Sequence, residues 1–243
     1  MYSLFKKEIT AFFGSFAGYI VIGVFLLANG LFLWVFENEM NVLDSGYSSL
    51  SGMFELAPWV FLFLVPAITM KMFAEEAKSG TLELLFTQPL TDLQIVAAKY
   101  LASVILILAS LLPALVYFFS VYALGDPIGN IDTGGTWGSY IGLFFLASIY
   151  ASIGVFASAL TENQIISFII ALILCFVFYT GFDAISSVGV FKSYHNLIVQ
   201  LGINEHYRSM SRGVIDTRDI VYFLLVAVMF MYATVGVLSL RRK

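Results

Sequence analysis

His195, Glu205 and His206 are the side chains best suited to hold a metal ion, but their spacing matches no recognised ligand pattern. A nucleotide phosphate would call for a G-x-x-x-x-G-K-[ST] loop, and the pair Gly-Lys does not occur in the chain. Arg208 and Arg212, one turn apart if helical, suit a surface ion pair with Glu205 and Asp216 better than a binding site. Cys175 is the sole cysteine, which excludes an intramolecular disulfide and reads as a small packing residue. What remains is AEEAKSGTLELLFTQPLTDLQ, residues 74–94, a polar stretch broken by glycine and proline between two apolar ones. Its chemistry is contact and leverage. Glu75, Glu76 and Glu83 can pair with basic groups, Gly80 can bend the chain, and Thr81 can cap a short helix. Leu82, Leu84, Leu85 and Phe86 supply apolar surface, with Leu82, Leu85 and Phe86 expected as the exposed face, before Pro89 stops the helix.

The elements that must hold this stretch are membrane spans. Of 243 residues, 60% are hydrophobic and only 12% charged, more apolar surface than one soluble core can enclose. Six windows are long enough to cross a hydrocarbon core of about 30 Å as helices: 15–36, 51–73, 100–124, 137–160, 164–182 and 220–240. The runs are continuously apolar and do not alternate as barrel strands do. The fold class is therefore all-α: a polytopic membrane protein, read as one domain over 1–243. The first window is too long for a signal-peptide core and is expected to be a retained span. Before it, Phe5, Ile9, Phe12 and Phe13 share one helical face and Lys6 and Lys7 another, the pattern of a helix in the headgroup plane that turns at Gly14-Ser15. Pro66 and Pro113 should kink their spans. Gly138, Gly142, Ala147, Ala151 and Gly154 give the fourth span a small-residue face for close helix approach.

Lys and Arg orient the stack. Eight lie at the chain ends and between spans two and three, and four in the segment 183–219, so the positive-inside rule places both termini in the cytoplasm and 183–219 outside. That outer segment also carries Val188, Val190, Phe191, Leu197 and Ile198, and is expected to pack against the outer leaflet. Net charge of −4 without a clustered basic patch gives no reason to expect a nucleic-acid partner. Apart from Glu55 and Lys71 near the ends of span two, the windows hold no ionisable group at mid-depth, which disfavours ion-coupled carriage. Nor do they hold the paired Asp/His or Ser/His groups of a membrane-embedded enzyme. Driven transport would need ATP, with its Mg, on another chain.

Two spans carry start signals on the cytoplasmic side. Thr91 and Gln94 have the spacing of a capping box with Leu90 and Ile95 as a hydrophobic staple, and Thr161 and Gln164 repeat it with Leu160 and Ile165.

The pattern E-E-x-x-x-G-T-x-E-L-L-x-T-x-P, Glu75 through Pro89, resembles the cytoplasmic loop of the permease subunits of type-2 ABC exporters. The six spans, the amphipathic N-terminal helix and the L-T-E-N-Q turn at 160–164 agree with it. S-R-G-V-I-D-T-R-D-I-V-Y-F, 211–223, is similar to the gliding-motility-associated ABC permeases. The resemblance implies a permease without its own ATPase site, in the bacterial inner membrane. Its partners would be two copies of an ATP-binding subunit, a second permease subunit, identical or different, and membrane lipid. It also implies that Thr81 to Phe86 form the coupling helix on which the ATPase docks, with Glu75 and Glu76 in the adjoining gate or elbow region. A non-transporting anchor in a motility or secretion machine would use the same parts.

Overall fold

The computed structural model of the chain describes residues 1–188 and 194–242. All regular structure among them is helical. The amphipathic opening forms α1 (Tyr2–Phe13), which meets α2 (Phe16–Trp34) at 63°. At that turn the Phe12 carbonyl accepts both the Ser15 amide at 3.1 Å and the Ser15 hydroxyl at 2.8 Å. After the short α3 (Val42–Ser45) comes α4 (Ser51–Thr69), which keeps Pro58 as well as Pro66 inside a helix. Four residues of turn then separate it from α5 (Ala74–Lys78), and α6 (Thr81–Phe86) follows.

The long α7 (Asp92–Leu124) and α8 (Thr133–Leu160) form the centre of the bundle. At about 1.5 Å per residue α7 is roughly 50 Å long, more than a hydrocarbon core of about 30 Å needs. The fifth span is a compound one: α9 (Gln164–Phe176), a π-helical turn (Val177–Gly181) and α10 (Phe182–Ser187). Two short helices, α11 (His195–Val199) and α12 (Ile203–Ser211), lead into α13 (Thr217–Arg241). Of the outer-segment residues named above, Val190 and Phe191 lie outside the described residues. Five helices are long and apolar enough to cross a membrane, and the bent α1 and α2 pair makes a sixth.

Burial ranks these helices. The apolar window of α8 is 78% buried, whereas those of the α9 to α10 span and of α13 are each 22% buried. Small residues explain the first figure: Gly138 and Gly142 receive α12, and Gly154 receives Thr69 of α4. A Cβ on Gly138 would lie 2.7 Å from the Met210 carbonyl oxygen, so the contact needs glycine. Between α2 and α4, Phe25 and Phe61 stack with centroids 4.4 Å apart.

Helix α12 is docked on the bundle. Ile203, Tyr207 and Met210 are buried, and the Tyr207 hydroxyl donates to the Phe54 carbonyl at 2.7 Å. No salt bridge involves Arg208 or Arg212 among the described residues, which corrects the ion pairs expected with Glu205 and Asp216. The pairing runs instead through His206, whose Nδ1 lies 2.7 Å from Asp219 Oδ1 and Nε2 2.9 Å from the Gln200 carbonyl. Tyr222 stacks on that ring at 3.8 Å. With His206 so engaged and His195 facing the Ser186 carbonyl, no three His, Cys, Asp or Glu side chains converge on a metal position among the described residues.

Candidate functional site

Both chain ends meet the polar stretch at one end of the bundle. The path begins where α4 stops. The Ser158 hydroxyl, from the last turn of α8, accepts the Phe73 and Ala74 amides at 2.9 and 3.0 Å and donates to the Met70 carbonyl at 2.9 Å. One buried side chain thus satisfies three backbone groups that the break between α4 and α5 leaves without helical partners. The break is thereby fixed to α8.

Gly80 then reverses the direction. Its φ of +71° is left-handed and its Cβ position is open, so the constraint there is conformational, not steric crowding. Thr81 does not cap α6 as expected. Gly80 occupies the N-cap position, and the Thr81 hydroxyl turns back to Ser79 Oγ at 2.9 Å, closing α5 against α6.

Helix α6 has only six residues and cannot hold its shape alone. Its apolar stripe is consequently spent within the chain. Leu82 is buried, and Leu85 and Phe86 pack with it on Leu4, Met72, Ile95, Val155 and Leu238, a small second core at this end of the bundle. Of the three residues expected as the exposed face, Leu82 is therefore buried, while Leu85 and Phe86 are half-buried. The exposed apolar side chain is Leu84, 65% accessible against 7% for Leu82, and Glu83 stands beside it in solvent. Between α1 and α6 runs a groove of about 360 Å³, whose lining includes Leu4, Lys7, Leu84, Leu85, Gln88 and Leu90.

The far end of α6 is fastened by the chain terminus. Arg242 donates to Asp92 Oδ1 and to the Phe86 carbonyl, each at 3.0 Å, and lies over the Phe86 ring at 5.7 Å. This joins the end of α13, the end of α6 and the start of α7. At that start Thr91 and Gln94 form the reciprocal box, with bonds of 3.3 and 3.2 Å. The box expected at Thr161 and Gln164 does not form. Only a tripeptide links α8 to α9, the Thr161 hydroxyl accepts the Asn163 amide at 3.1 Å, and the cap falls to Asn163, whose Oδ1 accepts from Ile165 at 2.9 Å.

Under α5 lies an ionic cluster that the sequence does not single out. Lys99 of α7, 1% exposed in its side chain, donates to Glu8 Oε1 of α1 at 2.7 Å and to the Met72 carbonyl at 2.6 Å. Glu76 Oε2 of α5 lies 3.0 Å from the same ammonium, close enough for an ion pair but off the direction of a hydrogen bond. Its other oxygen accepts from Lys7 at 3.0 Å. The ring of Phe73 covers Lys99 at 5.0 Å. Two positive and two negative side chains from three helices balance one another. Partial burial works against the Lys7 ammonium, but the Glu76 hydrogen bond and the charges of Glu76, Glu8 and Glu75 outweigh it and hold its pKa above the ordinary lysine value.

Of the residues anticipated here, Glu76 enters the cluster, while Glu75, Glu83 and Leu84 are exposed. Glu8, Lys99, Ser158 and Arg242 were not anticipated. For Lys99 a signal exists: with Ile95, Ala102 and Leu106 it lies on one buried helical stripe, and a lysine on such a stripe must be paired.

A bent pair of short helices is tied to α8 by Ser158, to α1 and α7 by ions, and to α13 by Arg242. The model of the ABC-2 family transporter protein family matches residues 36–242, which takes in everything from α3 through α13. No curated protein matches the chain.

Proposed function

Because the chain belongs to the ABC-2 transporter family, whose members are membrane transport components without an ATPase domain of their own, we propose that α5, Gly80 and α6 take up the movement of a separate ATP-binding subunit. The observation that carries this is the double attachment of α6. Its inner stripe is buried in the protein's own core while Glu83 and Leu84 face outward. A surface so held passes displacement to α7, α8 and α13 instead of absorbing it. Leu84 then enters the partner's groove with Glu83 at the rim, and the groove between α1 and α6 accepts a side chain in return.

On this reading ATP and Mg sit on the partner, present in two copies. The sparsely buried faces of α9 and α13 meet lipid and a second membrane subunit. The terminal face is cytoplasmic, in the bacterial inner membrane, and the solute is exported. The 211–223 sequence supports a link to gliding motility.

Affinity purification from native membranes tests the assembly. An ATP-binding subunit should be recovered in stoichiometric amount, and ATP hydrolysis should vanish when it is stripped away. Recovery of this chain alone, or hydrolysis by the isolated chain, would overturn the reading.

A further inference from the structure

A cavity of about 460 Å³ opens where α1 turns into α2, bounded by α4 and α5. With α1 read as a headgroup-plane helix and Ser15 as the start of the first span, the cavity lies at headgroup depth. Phe12, Val21, Ala67 and Ile68 give it an apolar wall toward the hydrocarbon. Six charged side chains line the rest. Four of them, Lys7, Lys99, Glu8 and Glu76, are engaged with one another. The remaining two, Lys71 and Glu75, are exposed and one turn apart, yet form no salt bridge with each other or with any described residue.

We propose that this cavity binds the headgroup of a phosphatidylethanolamine lipid, its phosphate at Lys71, its ammonium at Glu75 and its chains along the apolar wall. Lys71 and Glu75, the latter acting on Lys7 only through space, stand outside the salt bridges and suit a ligand carrying one charge of each sign. An anionic lipid would set its charge against Glu75 and leave that carboxylate without a donor. A choline headgroup has the charge but no N–H to give. A membrane lipid, not a soluble headgroup, is the source, because the wall of Phe12, Val21, Ala67 and Ile68 faces the acyl chains. The inference needs the membrane placement of α1 and not the coupling role of α6.

The experiment uses the full chain with its co-purifying partners, delipidated in detergent and titrated with mixed micelles of phosphatidylethanolamine, phosphatidylcholine or phosphatidylglycerol. The thermal midpoint and the lipid retained in native mass spectrometry are read together. Phosphatidylethanolamine should half-saturate about tenfold below the other two, the scale of one charge-assisted contact. Glu75→Gln should abolish that preference by admitting phosphatidylglycerol equally well, and Lys71→Gln should weaken every phospholipid. Glycerophosphoethanolamine should fail to compete. Equal binding of the three lipids by the wild-type chain, an unchanged preference in both variants, or full competition by the soluble headgroup would each overturn the proposal.

Discussion

At the end that carries the termini, Lys7, Glu8, Glu76 and Lys99 join three helices through ions, and a serine and an arginine close the remaining gaps. At the opposite end α12 lies on α8 through Gly138 and Gly142, and its polar contacts are hydrogen bonds: Tyr207 donates to the Phe54 carbonyl, Asn204 to Asp183 and Ser139 to the Ser211 carbonyl, while His206 lies between Asp219 and the Gln200 carbonyl. Ion pairs fix direction over short distances and resist rotation when buried. Glycine contacts fix distance, and hydrogen bonds add the rest. The end that carries the termini is therefore held through buried charge, and the opposite end through close backbone approach and hydrogen bonds.

Removing one partner from the buried cluster should have the largest effect. Lys99→Met would leave Glu8 and Glu76 facing each other without their ammonium, costing about 3–5 kcal/mol in unfolding from detergent. Hydrogen exchange should accelerate at 74–86 while 203–211 stays as it was. If both regions loosen together, the two ends are not separately fastened.

The reciprocal disturbance is Gly138→Val, whose Cβ would meet the Met210 carbonyl. Overpacking there should cost about 2 kcal/mol and raise exchange at 203–211 alone. Loss of the terminal face in that variant would contradict the separation.

Lys7→Gln sharpens the contrast within the terminal face. The Lys7 side chain is 62% exposed, so its bond to Glu76 should be worth less than about 1 kcal/mol despite the same 3.0 Å separation that Lys99 has from Glu76 Oε2. The raised pKa sets the sign of its pH dependence: the contribution is complete below the ordinary lysine pKa and is lost as pH rises above it. A loss of stability equal to that of Lys99→Met would show that burial is not what separates the two lysines.

These particular residues also show what a sequence can reveal of such a protein. Span positions follow from the lengths of apolar runs, because a bilayer imposes one length on every helix that crosses it. The Thr91 box follows from local spacing, and four residues suffice to form it. Thr161 has the same spacing, but its fate depends on where α8 ends. Leu82 and Leu84 are alike in composition and two positions apart, and only the tertiary core decides which of them faces water. Lys99 counts toward orientation when read along the chain. Its pairing with Glu8, 91 positions away, depends on α1 folding back onto α7. The π-helical turn at Val177–Gly181 leaves no trace in composition.

The central claim concerns Leu84, since it turns an apolar loop into a joint with a defined outward contact. The decisive measurement is the affinity of the purified full chain for the ATP-binding protein that co-purifies with it, compared between wild type, Leu84→Ala and Glu83→Gln. The account predicts a loss on the order of 2 kcal/mol, roughly 30-fold, for Leu84→Ala, with little change in thermal stability because that side chain is 65% accessible. Glu83→Gln should lose less, and its deficit should shrink as salt is raised. Wild-type affinity in both variants would contradict it, because α6 would then be a fastened loop that no partner touches.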